Sequence, residues 1–460
     1  MLKKSIPLLL SLFIFNLFAF NLTLLRVEDK PRLIIMTDIG GDPDDQQSLV
    51  RLMTYANEFE IEGLIATASG TPGELGVDIV KPHLIEEIVR AYGEVRDNLL
   101  LHKDGYPTME YLLSVIKSGN PKRGVKNIGE GKNTEGSDWI ISVVDSEDSP
   151  VNIAIWGGST ELAQALWRVR EERSEDELRK FLAKIRVHDI AHQDNTGPWI
   201  VENFRNLFYV LSKAPDGQDR REAVFRGMYL GGDLSLTSRE WIDTHVRTGH
   251  GPLGALYPPK TWTAPNPHGA LKEGDTPSWL YFLSTGLNDP DHPEWGSWGG
   301  RFQRKERKVY MDAADSVDGT THARATVWRW RPAFQNDFQA RMDWCVKPAG
   351  EANHNPIAAI GADTSRNVVW LKAQAGEQVT LDASRSSDPD GDEISHTWFR
   401  YDEADSYEGE ITLENSDSAT VRFTVPDVDS RKTIHLILQV WDNGEPNLFS
   451  FRRVIVSVEP

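Results

Sequence analysis

The stretch that decides the fold of this chain runs from Met36 to Met53 and reads MTDIGGDPDDQQSLVRLM. It begins at the end of an apolar run, residues 33–36, and it ends in a segment whose apolar residues follow a helical spacing. Between the two lie four aspartates within eight positions, namely Asp38, Asp42, Asp44 and Asp45. The pattern predicts a buried strand, an acidic loop and a helix, in that order.

Strand and helix signals continue to alternate over residues 31–215. Apolar strand patterns occupy residues 33–37, 61–68, 151–156, 185–190 and 207–211, and helical patterns occupy residues 46–56, 82–91 and 160–170. This alternation predicts an α/β fold with a doubly wound, mostly parallel sheet. Residues 216–350 are rich in Trp, Gly and Pro, and we expect them to complete the same domain, over residues 31–348, as long loops and a few helices.

The sequence pattern changes near Lys347–Pro356, a segment that we interpret as a linker. After it come short alternating segments separated by turns every ten to fifteen residues, which is typical of a small all-β sandwich. Trp398 lies where an immunoglobulin-like domain keeps a buried tryptophan. We therefore predict an immunoglobulin-like β-sandwich over residues 355–460.

The first 25 residues have the pattern of a secretory signal peptide, with Lys3 and Lys4 before an apolar stretch at residues 6–20. No clear cleavage pattern follows, and an uncleaved anchor is the alternative, although the apolar run is short for a full span. We expect a secreted or periplasmic protein.

The composition narrows the range of partners. The formal net charge of −19 disfavours nucleic acid and anionic membranes, because binding them requires clustered Lys and Arg. It suits a neutral substrate, or a metal-binding protein counted without its cations. The single cysteine, Cys345, rules out an intrachain disulfide and is interpreted as a small core residue.

The acidic loop requires compensation, because clustered carboxylates repel one another and burial disfavours their charged forms. A helix N-terminus can accept one or two of the aspartates as caps. A hard divalent cation can take several carboxylates at once, and Gly40 and Gly41 give the backbone room for them to converge. Capping leaves most of the four aspartates unexplained, so the pattern favours a metal site.

The loop resembles that of nucleoside hydrolases, which begin with an apolar strand, a D-x-G-x-D-D loop and a helix. Asp38 and Gly40 match the first half and Asp44-Asp45 the second, with Gly41-Asp42-Pro43 in place of a single spacer. The resemblance implies that Ca²⁺ is the cofactor and that Asp38 both binds it and acts as the general base on a calcium-held water. It also implies that Asp45 is a calcium ligand and that Asp44 contacts the sugar.

Three later segments agree with this resemblance. Thr160, in the segment WGGSTELA, matches a threonine whose carbonyl binds calcium in that family, and a helix N-cap is a compatible interpretation. Asp194 and Asn195 lie where the family places sugar-binding residues, with turn formation as an equal alternative. Asp275 corresponds to a distant calcium ligand. The preceding Gly274 departs from the family, which often has there a histidine that helps the leaving base depart; His268 or Glu273 are possible substitutes.

A more extensive resemblance covers nearly the whole chain. It is carried by the segments QDNTGPW (193–199), EGDTPSW (273–279), NDPDHPEWGSWGGR (288–301) and SSDPDGDEISHTWF (386–399). These segments resemble a secreted bacterial and fungal family, described as cellulose-binding, that joins a nucleoside hydrolase-like domain to a C-terminal immunoglobulin-like domain. The resemblance implies the fold and a carbohydrate partner.

Two functions follow as expectations. One is a secreted calcium-dependent glycosidase-like hydrolase that acts on N-glycosyl or other sugar substrates, and its partner would be a carbohydrate or a nucleoside-like small molecule. The alternative is a non-catalytic carbohydrate-binding protein that retains the metal site and binds a polysaccharide. Sugar platforms would then be Trp199, Trp262, Trp295 and Trp298. For Trp295 and Trp298, packing in a local mini-core is an equal alternative.

Overall fold

The computed structural model of this protein describes residues 30–68, 78–259 and 271–460. The predicted signal peptide, residues 1–25, lies outside the described residues, as do Trp262 and His268. Within the described part of the chain, none of the helices combines the length and the apolar character needed to cross a membrane.

An eight-stranded sheet forms the centre of the first domain, in the order β3-β2-β1-β4-β5-β6-β8-β7. Every neighbouring pair is parallel except β7 and β8, which are antiparallel at one edge. The strands are β1 (Arg32–Thr37), β2 (Glu60–Ala66), β3 (Ile116–Ser118), β4 (Val151–Ile155), β5 (Ile185–Ile190), β6 (Phe208–Ser212), β7 (Phe302–Glu306) and β8 (Val309–Asp312). This confirms the predicted doubly wound, mostly parallel α/β fold.

The central strands are buried on both faces. In β1, Leu33 and Ile35 point into one hydrophobic core, while Ile34 and Met36 point into the other, as the alternation of side chains along a strand requires. This explains why the strand is a continuous apolar run rather than an alternating one.

Helices cover the two faces of the sheet. Local sequence starts several of them: Pro82 occupies a first-turn position of α2, and capping boxes at Thr134 and Ser174 open α4 and α6. The helices are α1 (Asp44–Thr54), α2 (Pro82–His102), α3 (Met109–Ser114), α4 (Glu135–Ser146), α5 (Thr160–Glu172), α6 (Glu175–Ala183), α7 (Thr196–Asn203), α8 (Arg239–Ile242), α9 (Gly251–Ala255), α10 (Thr276–Leu280), α11 (Ala325–Trp328) and α12 (Arg331–Trp344).

The expectation of loops and a few helices after residue 216 was incomplete. β7 and β8 extend the main sheet there, and a small hairpin follows, made of β9 (Asp315–Val317) and β10 (Thr320–His322). The sequence pattern does not indicate a strand at β7, because four of its five residues are exposed and charged or polar, as suits an edge strand.

The C-terminal residues form the predicted all-β sandwich. One sheet has the order β11-β16-β15-β13 and the other pairs β12 with β14. Trp398 is buried in the core between them, as expected. The strands are β11 (Val369–Gln374), β12 (Gln378–Asp382), β13 (Ser395–Arg400), β14 (Thr420–Thr424), β15 (Lys432–Trp441) and β16 (Phe449–Glu459).

The sandwich packs directly on the first domain. Phe451 and Tyr401 belong to the same hydrophobic cluster as the helices of the first domain. The backbone of Gly286 lies so close to β16 that a Cβ there would be 2.0 Å from the carbonyl oxygen of Phe451, so only glycine fits. The predicted linker is also bonded in place, because Asn353 donates hydrogen bonds to Asp442 and to the Pro446 carbonyl.

The buried Arg453 of β16 joins the two domains. Its guanidinium donates hydrogen bonds to the carbonyl oxygens of Leu287, Trp295 and Gly296, all in the first domain. Burial of the guanidinium lowers the pKa of Arg453 to about 10. Its hydrogen bonds satisfy carbonyl groups that would otherwise be buried without a donor.

We predict that Arg453→Met lowers the free energy of unfolding by about 2–4 kcal/mol, because three buried carbonyls lose their donor. Urea denaturation followed by tryptophan fluorescence measures the change. The matched control is Arg431→Met in the same sandwich, whose side chain is 61% exposed and forms a 3.5 Å ion pair with Glu459 and a 2.9 Å hydrogen bond to the Ser457 hydroxyl, with no hydrogen bond to any described carbonyl of the first domain. Equal stability of the two variants would contradict the structural role of Arg453.

Candidate metal and active site

The acidic loop lies at the C-terminal end of β1, as predicted. Asp38 follows the strand directly, Asp44 and Asp45 are the first two residues of α1, and Asp275 immediately precedes α10. All four side chains are buried. Residues far apart in the sequence are thus brought to one edge of the sheet, where doubly wound folds bind their ligands.

Three of these carboxylates converge on one point. Asp44, Asp45 and Asp275 each offer an oxygen, and these oxygens lie within 4.8 Å of one another. Oδ2 of Asp275 is buried without a hydrogen-bond partner among the described residues. An all-carboxylate donor set with an unsatisfied oxygen fits a hard divalent cation such as Ca²⁺.

The triad shares Asp45 and Asp275 with the predicted metal ligands and contains Asp44 as well. The resemblance to nucleoside hydrolases implied a sugar contact for Asp44 and metal ligation by Asp38, Asp45, Asp275 and the Thr160 carbonyl, and the roles of Asp38 and Asp44 stay predictions. The structure places Asp44 in the triad, because the first turn of α1 turns both of the paired aspartates toward Asp275. Asp38 lines the same cavity, and its charge raises the pKa of Asp45 and of Asp275.

Burial and mutual repulsion raise the pKa values of the clustered aspartates. Burial, followed by the charges of Asp275, Asp38 and Asp44, raises the pKa of Asp45 well above its ordinary value. Burial and then the charge of Asp44 raise the pKa of Asp275 in the same way. Without a cation these carboxyl groups therefore hold their protons to a higher pH than isolated carboxyl groups do, and a divalent cation would compete with those protons.

A lysine that the sequence analysis did not single out compensates part of this charge. Lys272 is buried, and its ammonium forms ion pairs with Asp42 and, at 2.9 Å, with Asp44. The charges of Asp44 and Asp42 outweigh the effect of burial and raise the pKa of Lys272. Asp42, which has no counterpart in the nucleoside hydrolase motif, thus serves to anchor this lysine.

The segment that carries Lys272 and Asp275 is held by a buried network. Glu273, which has a strained φ of 42°, accepts hydrogen bonds from Arg51 (2.6 and 3.1 Å), Tyr257 (2.5 Å) and Thr276 (2.9 Å). The suggestion that Glu273 substitutes for the absent histidine as an acid is wrong, because its side chain is fully buried in this ion pair and does not line the cavity.

The turn after β4 provides a close fit for Asp38. A Cβ on Gly157 would lie 2.6 Å from the Cβ and Cγ atoms of Asp38, so a side chain there would displace the aspartate. Thr160 is the first residue of α5, and its hydroxyl accepts a hydrogen bond from the Gly124 N–H and donates one to Asp194. Thr160 does not line the cavity, and the role of its carbonyl as a calcium ligand stays a prediction.

The structure does not place Asp194 and Asn195 in the wall of the cavity, and their role as sugar contacts stays a prediction. Asp194 accepts hydrogen bonds from the backbone and hydroxyl of Thr196, and Asn195 accepts one from the Val125 N–H. These are turn and loop contacts, and neither residue lines the cavity. The neighbouring Gln193 does, and its amide donates a hydrogen bond to the carbonyl of Trp156.

A cavity of about 390 Å³ opens on the acidic cluster. Beside the aspartates, its wall contains Trp156, Gln193 and Phe225, and a segment after β6 that carries Lys213, Arg220 and Arg226. This segment was missed by the sequence analysis, because its residues read as an ordinary charged loop and nothing in their spacing indicates a cavity.

The structure does not support the sugar-platform interpretation of Trp295 and Trp298. Both indoles are buried, 6% and 5% exposed, and neither lines the cavity. Trp295 stacks on His292, with ring centroids 4.0 Å apart, and Trp298 packs edge-on against Phe334 and Phe451. The mini-core alternative describes both residues, and their position at the domain interface explains the burial.

Trp199 also packs against neighbouring side chains and does not present an open ring face on which a sugar could stack. Its ring lies edge-on to Phe204 at 5.6 Å and beneath the guanidinium of Arg170 at 5.5 Å. It contributes to the core on one face of the main sheet.

The parallel sheet, with its acidic loop and cavity, has the features of a nucleoside hydrolase-like domain. A β-sandwich follows it in the chain. Family models match residues 32–302 as the nucleoside hydrolase-like domain of cellulose-binding Sde182, and residues 378–458 as the C-terminal domain of the cellulose-binding protein Sde0182. The chain therefore belongs to the Sde182 family.

A solved structure supports this membership. A nucleoside hydrolase-related hypothetical protein from Saccharophagus degradans, associated with carbohydrate metabolism, is 37% identical. The match covers 94% of this chain and 100% of that protein, with a TM-score of 0.80. The PKD domain of the KIAA 1837 protein matches 24% of this chain and 93% of its own at 25% identity, with a TM-score of 0.17. A comparison with curated proteins gave no match.

We predict that Asp275→Asn stabilises the metal-free protein at pH 7 and abolishes stabilisation by calcium. The raised pKa of Asp275 means that the folded state binds more protons than the unfolded state above about pH 4, so the stability of the metal-free wild type falls as the pH rises from there. The uncharged amide removes this loss. It also replaces a charged oxygen ligand by a neutral one, which we expect to weaken calcium binding by more than about 100-fold.

Thermal melting between pH 4 and pH 8, with a chelator and with calcium, measures both effects. Asp216→Asn is the matched control, because Asp216 lines the same cavity but its side chain is 94% exposed and pairs only with Lys213. A calcium-induced shift in Asp275→Asn as large as that of wild type would show that this aspartate is not a ligand.

Proposed function

We propose that this protein is a calcium-dependent hydrolase that cleaves a glycosyl bond, of the N-glycosyl type or in another sugar substrate. The observation that carries the proposal is the convergence of Asp38, Asp44, Asp45 and Asp275 on one cavity at the C-terminal edge of the sheet. The substrate would be a carbohydrate or a nucleoside-like small molecule, for which the cavity has room.

The residues divide into two roles. Asp45 and Asp275, with Asp44 beside them, would hold the cation, since their oxygens already lie within 4.8 Å of one another. When bound, a divalent cation supplies positive charge that makes a water easier to deprotonate. Lys272 holds Asp44 from the other side, and its charge opposes the rise that burial causes in the pKa of Asp44.

Asp38 is the candidate general base. Its carboxylate is buried beside the triad, lines the cavity and is held in position by the turn at Gly157. It would take a proton from the attacking water while positive charge develops on the sugar ring, and the negative charge of the cluster would stabilise that ring.

A non-catalytic carbohydrate-binding protein is the second candidate. The description of the family as cellulose-binding favours it. So does Gly274: a Cβ there would lie 3.1 Å from Asp44 and 3.5 Å from the ring of Phe225, which leaves little space for a larger side chain. Among the described residues that line the cavity, none is a histidine that could protonate a leaving base.

We also propose that the protein acts outside the cytoplasm, either secreted or periplasmic. The signal-peptide pattern of residues 1–25 and a family described as cellulose-binding support this location, because polysaccharides of that kind are met outside the cell.

We predict that Asp38→Asn lowers the rate of hydrolysis by about 10²–10⁴-fold while the fold and calcium-dependent stability remain, because general-base catalysis contributes about that factor. Release of reducing sugar from a panel of nucleosides and oligosaccharides, with calcium and with a chelator, provides the assay. Asp216→Asn serves again as the control, with expected wild-type activity.

Two outcomes would contradict the proposal. Full activity of a folded Asp38→Asn variant would exclude its role as the base. Absence of reducing sugar from every substrate, together with calcium-dependent binding of an oligosaccharide, would favour the non-catalytic alternative.

A further inference from the structure

The cavity carries a second group of charged residues that the proposed reaction does not use. Lys213, Arg220 and Arg226 all line it, on the segment that follows β6. A neutral sugar or nucleoside does not need three cationic side chains beside it. This wall of the cavity is better suited to a ligand that carries a negative charge.

Arg226 is the best-defined of the three. It is partly buried, and Nε of its guanidinium is buried without a hydrogen-bond partner. Among the described residues its hydrogen bonding is confined to the Tyr229 hydroxyl, and no carboxylate forms an ion pair with it. A guanidinium with unused donors, facing a cavity, is the group that binds carboxylate or phosphate oxygens most effectively.

The surroundings hold this guanidinium in place. Its central carbon lies 4.6 Å from the ring centroid of Phe225 and 5.7 Å from that of Tyr229. Phe225 lines the cavity, and Tyr229 is fully buried. Stacking on fixed rings reduces the freedom that the side chain would lose on binding a ligand, so the site is preorganised.

A simpler role, as counter-charge for the acidic cluster, does not account for Arg226. Within the acidic cluster, its charge lowers only the pKa of Asp44, where it is the last of the causes, and outside the cluster it acts in the same minor way on the exposed Asp219. Lys272 already fills that role with a 2.9 Å ion pair. Lys213 is likewise occupied, by Asp216 at 2.8 Å, whereas Arg220 has no ion-pair partner among the described residues.

We propose that the ligand of this cavity is a sugar compound with an anionic group, a carboxylate or a phosphate, which Arg226 binds with help from Arg220. Because the aspartates repel an anion, this group lies in a different part of the cavity from the sugar bond beside the metal. The inference takes from the proposed function only the position of the ligand in this cavity and does not require hydrolysis.

Calorimetric titration of the full chain with calcium tests this inference through binding alone. The probes are three disaccharides that differ in one substituent: cellobiose, cellobiouronic acid, which carries a carboxylate, and cellobiose 6′-phosphate. We expect wild type to bind one of the two anionic sugars about tenfold or more tightly than cellobiose, since a hydrogen bond to a charged group contributes about that factor. The anionic sugar that binds more tightly identifies the source of the charge.

Arg226→Gln should abolish the preference and leave the affinity for cellobiose unchanged. The matched control is Arg221→Gln, because Arg221 lies on the same segment but pairs with Asp219 and does not line the cavity. Arg220→Gln should reduce the preference in part. Circular dichroism and thermal melting establish that each variant is folded.

Three results would overturn the inference: equal affinities of wild type for all three sugars, binding of none, or a preference that survives in folded Arg226→Gln. These results are separable from the fate of the proposed function. Tight anionic binding without release of reducing sugar would contradict only the hydrolase, and hydrolysis of neutral substrates without an anionic preference would contradict only this inference.

Discussion

Mutual repulsion among buried carboxylates is the constraint on which the rest of this structure depends. Asp38, Asp44, Asp45 and Asp275 are nearly removed from water at one edge of the sheet, where each disfavours the charged form of its neighbours. Such an arrangement lowers stability unless protons, a lysine or a metal cation neutralise it. A protein that retains it therefore gains something other than stability, and a metal-dependent function is the most direct explanation.

Much of the surrounding structure keeps these carboxylates together. Lys272 neutralises the side that carries Asp42 and Asp44, and the Arg51–Glu273 ion pair fixes the strained segment that presents Asp275. The same segment continues into α10 and then toward the domain interface, where Arg453 of the sandwich binds the carbonyls of residues 287, 295 and 296. The C-terminal domain thus braces the loops that follow the acidic cluster.

Local patterns predicted the fold well, because buried strands of the main sheet such as β1 and β4 are mostly apolar runs. The sandwich was equally visible through its turns and Trp398. The sequence was least informative where tertiary contacts decide how side chains are arranged. Asp44 joined the triad through the geometry of one helical turn, and the Trp295 and Trp298 indoles were buried by a neighbouring domain that their glycine-rich segment does not reveal. Lys272 and Arg226 were missed because a charged residue in a loop has the same local pattern whether it faces solvent or a cavity.

Diffraction from crystals grown with calcium, with anomalous scattering recorded at long wavelength, tests the central claim most directly. We expect a single strong anomalous peak among Asp44, Asp45 and Asp275, with carboxylate oxygens about 2.3–2.6 Å away. An empty cluster at millimolar calcium, or a peak only at solvent-exposed carboxylates elsewhere, would contradict the metal site and the hydrolytic role built on it.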